Sequence, residues 1–283
     1  MAKDKKIVII YHGGCRDGFG GAWAAWKKFG NKAVYLPAHD RFVLPREIKN
    51  KEVYLIDYTY EPDLVKKLLR DNKRVTAIDH HITAQKAARL TKEYSFSLRN
   101  SGAVLAWNYF HPGRKTPMLL RYIEDGDLWK WKIPRSREIL TSTIDLTDFD
   151  FMEWSRLARE LETPAKSKKY AEYGKLILRY ERSIIEELLP GAELVKFANH
   201  KVFAVNAPHR FASDLGHILA RKSHSLAIVW RKESGKIKVS LRSNGSINVG
   251  AIAKKYGGGG GHKAAAGFEW SSNVSLPWKP IKK

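Results

Sequence analysis

The 283-residue chain has little cysteine: Cys15 stands alone, which excludes an internal disulfide and suits a reducing compartment, with the cytoplasm as the expectation. It also lacks any apolar run near the roughly 18 residues that a membrane span needs. The opening Met1-Ala2-Lys3-Asp4-Lys5-Lys6 is too polar and too short to read as a secretory signal. No internal repeat is present. Carboxylates are scarce, 29 Asp and Glu against 51 Lys and Arg, for a net charge of +22. The shortage is uneven. Residues 1–150 hold 18 acids against 27 bases, residues 151–194 hold eight of each, and residues 195–283 hold three against 16, a net of +13. Such a field attracts polyanions, among which phosphates are the commonest. What is plentiful is core material: 43% hydrophobic residues and nine Trp give enough for one large or two ordinary domains.

The few acids stand at telling positions. Val75-Thr76-Ala77-Ile78 reads as a buried strand that stops on Asp79-His80-His81. Val53-Tyr54-Leu55-Ile56 likewise stops on Asp57, 22 residues earlier, and the amphipathic Pro62–Asn72 stretch fits a crossover helix between them. Ile7–Tyr11 is a third buried strand. It leads through His12-Gly13-Gly14-Cys15-Arg16-Asp17-Gly18 into a helix over Phe19–Phe29. The glycine spacing there is not that of a dinucleotide fingerprint. Three parallel strands would thus release Asp or His at one carboxyl edge, where open α/β sheets bind ligands. Neighbouring strands lie about 4.8 Å apart, the scale on which side chains share a pair of metal ions.

Further along, Ser101–Phe110 and Met118–Glu124 read as helices, the second running into Asp125-Gly126-Asp127, with Gly126 as a helix-ending residue. Acids at a helix C-terminus oppose its dipole, and a nearby cation relieves that. Residues 151–194 read as a helical connector, with Met152–Leu161 and Lys168–Leu189 helical. From there the pattern turns to short strands at Val202–Val205, Leu226–Trp230 and Ile237–Leu241, with helices over Ser213–Arg221 and Val249–Tyr256. Gly257 to Gly261 precede His262 and an apolar Ala/Phe stretch; bare backbone N–H groups of this kind can form a concave anion-binding surface. The residues around Pro277 and Pro280 read as a loose tail.

Taken together, His12…Asp17-Gly18, Asp57, Asp79-His80-His81 and the Asp125/Asp127 stretch resemble the four motifs of the DHH phosphoesterase superfamily. Leu241-Arg242-Ser243, the glycine run with His262, and Ala265-Ala266-Gly267-Phe268 resemble its companion DHHA1 domain, as in RecJ-like and nanoRNase-like members. The resemblance implies an α/β fold: a parallel-sheet DHH catalytic domain over 1–150, the connector, and a smaller α/β DHHA1 substrate-binding domain over 195–283. It also implies two divalent ions, usually Mn2+ with Mg2+ or Co2+ as substitutes. His12, Asp17, Asp57, His80 and Asp125 would be ligands, with Asp127 second to Asp125 and Asp57 bridging. Asp79 would orient His80, and His81 would face the substrate phosphate. Arg242, Ser243, Gly258, Gly259, Gly260, Gly261 and His262 would hold substrate phosphates and the terminal nucleotide. Motif I of the superfamily often carries an aspartate where Cys15 stands.

Two ions held by Asp and His would acidify a water and clamp the phosphoryl oxygens. The expected function is metal-dependent hydrolysis of short single-stranded RNA or DNA, or of a dinucleotide, by a monomer or homodimer. Two alternatives stay open: a phosphoanhydride or nucleotide-bisphosphate phosphatase, and an inactive nucleic-acid-binding module. Trp129, Trp131 and Phe268 are candidates for base stacking or, more simply, core packing.

Overall fold

A computed structural model describes residues 5–45, 48–144, 147–256 and 259–281. The chain divides after Leu178 into two compact units.

The first unit follows the order β1 (Ile7–His12), α1 (Arg16–Phe29), β2 (Ala33–Ala38), β3 (Glu52–Ile56), α2 (Pro62–Asp71), β4 (Arg74–Asp79), α3 (Gln85–Ala88), β5 (Glu93–Phe96), α4 (Gly102–Phe110), α5 (Met118–Asp127), α6 (Ser136–Ser142), α7 (Phe151–Leu161) and α8 (Pro164–Leu188). Its five strands are all parallel, in the order β2-β1-β3-β4-β5. Because side chains alternate across a strand, β1 feeds two layers. Ile9 and Tyr11 join Phe19, Trp23, Ala106 and Trp154 on one face, while Val8 and Ile10 join Val65 and Leu68 on the other. Both faces are therefore covered, which explains why β1, β3 and β4 read as unbroken apolar runs.

The chain leaves β1 toward β2 on one side and returns to β3 on the other. Their carboxyl ends thus flank a topological switch point, the place where sheets of this kind open a crevice. Tyr11 pairs with Ile56 and Ile56 with Ile78, so His12, Asp57 and Asp79 come level at the same edge.

Part of the stretch read as a connector is domain rather than link. Trp154, Leu157, Leu161 and Ala171 lie in the first unit's core, with Trp154 edge-on to Phe19 at 4.8 Å. The division falls inside α8.

The second unit contains β6 (Glu193–Phe197), β7 (His200–Asn206), α9 (Ala212–Lys222), β8 (Leu226–Glu233), β9 (Lys236–Ser243), α10 (Val249–Lys255), β10 (Gly260–Gly261), β11 (Ala265–Ser271) and β12 (Lys279–Pro280). They form a sheet in the order β10-β11-β9-β8-β7-β6-β12, with β7 and β8 parallel and every other pair antiparallel. Leu215 and Leu219 of α9 share a core with Ala227 and Val229, while Val249 and Ala253 of α10 share one with Ile228 and Leu241. The expected loose tail is instead packed down. Trp278 is buried against Phe197 and Trp230, and Lys279–Pro280 pairs with β6. One buried indole outweighs the proline and lysine content of that stretch. Phe268 is also core, 5% exposed and stacked on Phe197.

Candidate metal centre

Asp57 is the first residue past β3, turned into the left-handed region with φ 55° and only 1% exposed. That conformation is uncommon for a residue with a side chain. Its two carboxylate oxygens face different groups. Oδ2 lies 3.3 Å from His12 Nδ1 and 3.7 Å from Cys15 Sγ. Oδ1 lies 3.1 Å from His80 Nε2 and 3.6 Å from His81 Nδ1, both at ion-pair distance. His80 Nε2 is in turn 3.5 Å from Asp17 Oδ2 and 3.6 Å from Asp127 Oδ2. His12, Cys15 and Asp57 thus form one set of mutually close donors, and Asp17, His80 and Asp127 a second, with Asp57 between them.

Local sequence explains how these groups are held. Asp17, fully buried in the first turn of α1, accepts hydrogen bonds from Gly102 N at 2.6 Å and Ala103 N at 3.0 Å, the unpaired donors at the start of α4. A side chain at Gly102 would bring its Cβ within 2.6 Å of Asp57 Cβ, so only glycine lets α4 reach the sheet edge there. Ser101 caps the same helix through Val104 N. These α4 residues escape a reading of the sequence, although a serine–glycine pair opening a helix is the available signal.

Asp79 takes on a different partner from the one expected. Its Oδ1 accepts from His80 N and His81 N at 2.7 and 2.9 Å and lies 2.8 Å from His81 Nδ1, while Oδ2 accepts from Thr59 Oγ1 at 2.6 Å. The carboxylate therefore orients the ring of His81, not that of His80, which turns to Asp17, Asp57 and Asp127. Burial pushes the Asp79 carboxyl up, but the His81 charge and hydrogen bonds from His81 and Thr59 hold it down at about 2.

Asp125, the first choice among the late acids, does not join the cluster. Its oxygens accept from Lys132 N at 2.9 Å, Ile133 N at 3.1 Å and Ser136 Oγ at 2.5 Å, fixing the loop that enters α6. Helix α5 runs through Gly126 to Asp127, so Gly126 is not its end, and the two acids point to different neighbours. Asp127 Oδ2 is buried, takes no hydrogen bond among the described residues, and faces His80.

The electrostatics favour a cation. Burial raises the Asp17 carboxyl well above the usual range, with Asp57 and Asp127 adding repulsion, and burial raises Asp127 too. Burial also opposes the Asp57 charge, yet hydrogen bonds from His12 and His80 and the His81 charge keep it well below the usual range. Against burial, which pulls them down, His12 is raised to about 11 by its hydrogen bonds to Asp57 and Cys15, and His80 to about 10 by Asp57, Asp17 and Asp127. Donor separations of 3.1–3.7 Å fit ligands sharing an ion at bond lengths of about 2.0–2.3 Å. The residues present fit a divalent pair.

In the second unit, Arg242 Nη2 donates to Ser213 Oγ at 3.0 Å and Nη1 to Leu241 O at 2.9 Å, and burial lowers its guanidinium to about 10. Ser243 is 2% exposed, and its hydroxyl donates to Ile247 O at 2.8 Å and accepts from Gly245 N, organising the following loop. Ser213 and His217 of α9 lie on the Arg242 side and are not found from sequence, since nothing in a helical pattern marks them. Gly258 lies outside the described residues. Gly260 and Gly261 pair with Gly267 and Ala266, and a Cβ at Gly259 would fall onto Gly267 O, so close strand packing already demands part of the glycine run. His262 N donates to Ala265 O at 2.7 Å across this turn.

Comparison with known proteins bears on both units. Residues 205–275 match the DHHA1 domain family model. The chain is 30% identical over 306 aligned residues to the uncharacterized protein R106 of Acanthamoeba polyphaga mimivirus, covering 99% of this chain and 71% of that protein. It resembles the structure of RecJ in complex with Mn2+ from Thermus thermophilus with a TM-score of 0.53 at 15% identity, over 96% of this chain and 50% of that one. An exopolyphosphatase-related protein from Bacteroides fragilis matches at 15% identity and a TM-score of 0.49, over 96% of this chain and 88% of that one.

Proposed function

The chain belongs to the DHH/DHHA1 phosphoesterase superfamily, and from that premise we propose that it is a metal-dependent phosphodiesterase acting on short single-stranded oligonucleotides or dinucleotides. The observation that carries the reading is Asp57, whose two oxygens face two separate donor sets.

A bound pair of divalent cations supplies an acidified water and a clamp on the phosphoryl oxygens. His12 and Asp57 would hold one ion, and Asp57, Asp17, His80 and Asp127 the other. Mn2+ is the proposed ion, with Mg2+ or Co2+ able to substitute; the Thermus thermophilus RecJ structure contains Mn2+. Asp79 fixes the His81 ring through Nδ1, so that Nε2 holds a phosphoryl oxygen of the substrate. Arg242 would hold a second phosphate of the chain, its fork set by Ser213 and the Leu241 carbonyl. The +13 net charge of residues 195–283 favours a substrate with several phosphates. Ser243 and Gly259 to His262 would shape that grip through backbone rather than through the Ser243 hydroxyl. No described helix is long and apolar enough to cross a membrane; a reducing compartment such as the cytoplasm is proposed from Cys15.

The test is a substrate panel with purified protein and Mn2+: 5′-labelled RNA and DNA of graded short lengths, linear and cyclic dinucleotides, a nucleotide bisphosphate, pyrophosphate and polyphosphate. Short oligonucleotides are expected to turn over fastest, and Asp57→Ala to abolish turnover. Faster cleavage of pyrophosphate than of any oligonucleotide would overturn the substrate assignment and spare the metal centre.

A further inference from the structure

The donor set on the Oδ2 side of Asp57 contains sulfur, and the set on the Oδ1 side does not. Cys15 stands at the N-terminus of α1 in extended conformation and makes no side-chain cap to the helix, so the thiol is not spent on capping. Instead Sγ lies 3.7 Å from Asp57 Oδ2, with His12 Nδ1 3.3 Å from the same oxygen. An imidazole nitrogen, a sulfur and a carboxylate oxygen all within 4.8 Å of one another are three donors of the right kinds and spacing for one ion. Asp57 itself is only 1% exposed, so the charge that its Oδ2 presents to His12 and Cys15 is held away from water. A carboxylate buried in this way costs free energy that a cation beside it offsets.

Resting on the reading of this cluster as a metal centre, we infer that Cys15 is itself a ligand, bound as thiolate, and makes the two ion positions chemically unequal. As the sulfur–metal bond forms, the thiol gives its proton to solvent and the charge on the ion is balanced by sulfur. Thiolate favours softer dications, so the His12/Cys15/Asp57 position selects Zn2+, Co2+ or Fe2+ over Mn2+. The Asp17/His80/Asp127 position has only oxygen and nitrogen donors and accepts Mn2+ or Mg2+. The protein is thereby suited to a mixed pair of ions.

Cobalt reports this directly. The full chain, stripped with chelator and kept reduced with a non-thiol reductant, is titrated with Co2+ without oxygen. Because the chain has one cysteine, any sulfur-to-cobalt charge-transfer absorption in the near ultraviolet comes from Cys15. The expected result is that band at one equivalent per chain, lost in Cys15→Ser while the visible cobalt bands of the other position persist. Cys15→Asp is expected to lose the band and to lower the preference for zinc over manganese on the order of 10- to 100-fold. Should the variants fail to fold, the wild-type band and slower alkylation of Cys15 once Co2+ is bound carry the same information. Cobalt bound with visible bands only, and alkylation unchanged by metal, would overturn the thiolate and leave the phosphoesterase reading standing. No cobalt binding at all would overturn the metal centre itself.

Discussion

The edge of the first sheet gathers Asp17, Asp57, Asp79 and Asp127 around His12, His80 and His81, five of the seven buried, whereas residues 195–283 hold three carboxylates against 16 Lys and Arg. Buried acids that repel one another persist only beside compensating positive charge, and the carboxylates around His12 and His80 raise both imidazoles accordingly. The basic surplus needs no such arrangement, because most of its described side chains meet water, although Arg242 is tucked over Gly216 of α9. On the function proposed above, the first unit would carry the chemistry on phosphate and the second would hold it.

Substitutions in the two units should separate these roles. Asp57→Asn is expected to lower kcat by roughly 1,000-fold or more, measured on a short oligonucleotide. Smaller, and informative about the late acids, is the contrast between Asp127→Asn and Asp125→Asn. The first should weaken metal binding on the order of 10- to 100-fold in a calorimetric titration. The second should leave metal affinity near wild type and instead lower the thermal midpoint, because Lys132 N, Ile133 N and Ser136 lose their acceptor. Arg242→Ala should raise KM by about tenfold with kcat nearly unchanged, the mark of lost uniform binding. A comparable fall in kcat would break the division of labour.

Much of this is legible in the sequence. Asp57, Asp79 and His12 end buried strands, and parallel pairing brings strand ends level, so their convergence follows from the pattern of apolar runs. The choice between Asp125 and Asp127 was not legible, because it depends on whether α5 continues one turn through Gly126 and on where the Lys132 and Ile133 amides fall. The partner of Asp79 was hidden for a similar reason, since sequence shows that two histidines follow an acid but not which ring turns back. Trp278 shows the reverse failure: composition suggested a tail where a single aromatic contact pins the chain.

Acidity offers two finer tests. In ion-free protein His12 and His80 keep protons up to about pH 11 and 10, so an ion must displace them. Apparent metal affinity should therefore rise with pH across neutrality, by up to about tenfold per pH unit for each proton released, as read from titrations in buffers of different ionisation enthalpy. The smallest effect concerns Asp79. Its folded carboxyl lies at about 2 against an ordinary 3.8. The stability it contributes is complete above the ordinary value and is lost as pH falls through the folded one. Asp79→Asn should flatten the acid limb of the stability curve between those two values in chelator, as followed by denaturant midpoints.

The most direct measurement of the shared role of Asp57 is the number of divalent ions held per chain after equilibrium dialysis, counted by elemental analysis. Two per chain are predicted, falling to one in His12→Ala and in Asp127→Asn, and losing both high-affinity positions in Asp57→Asn. A single ion per chain, retained unchanged in Asp57→Asn, would contradict it.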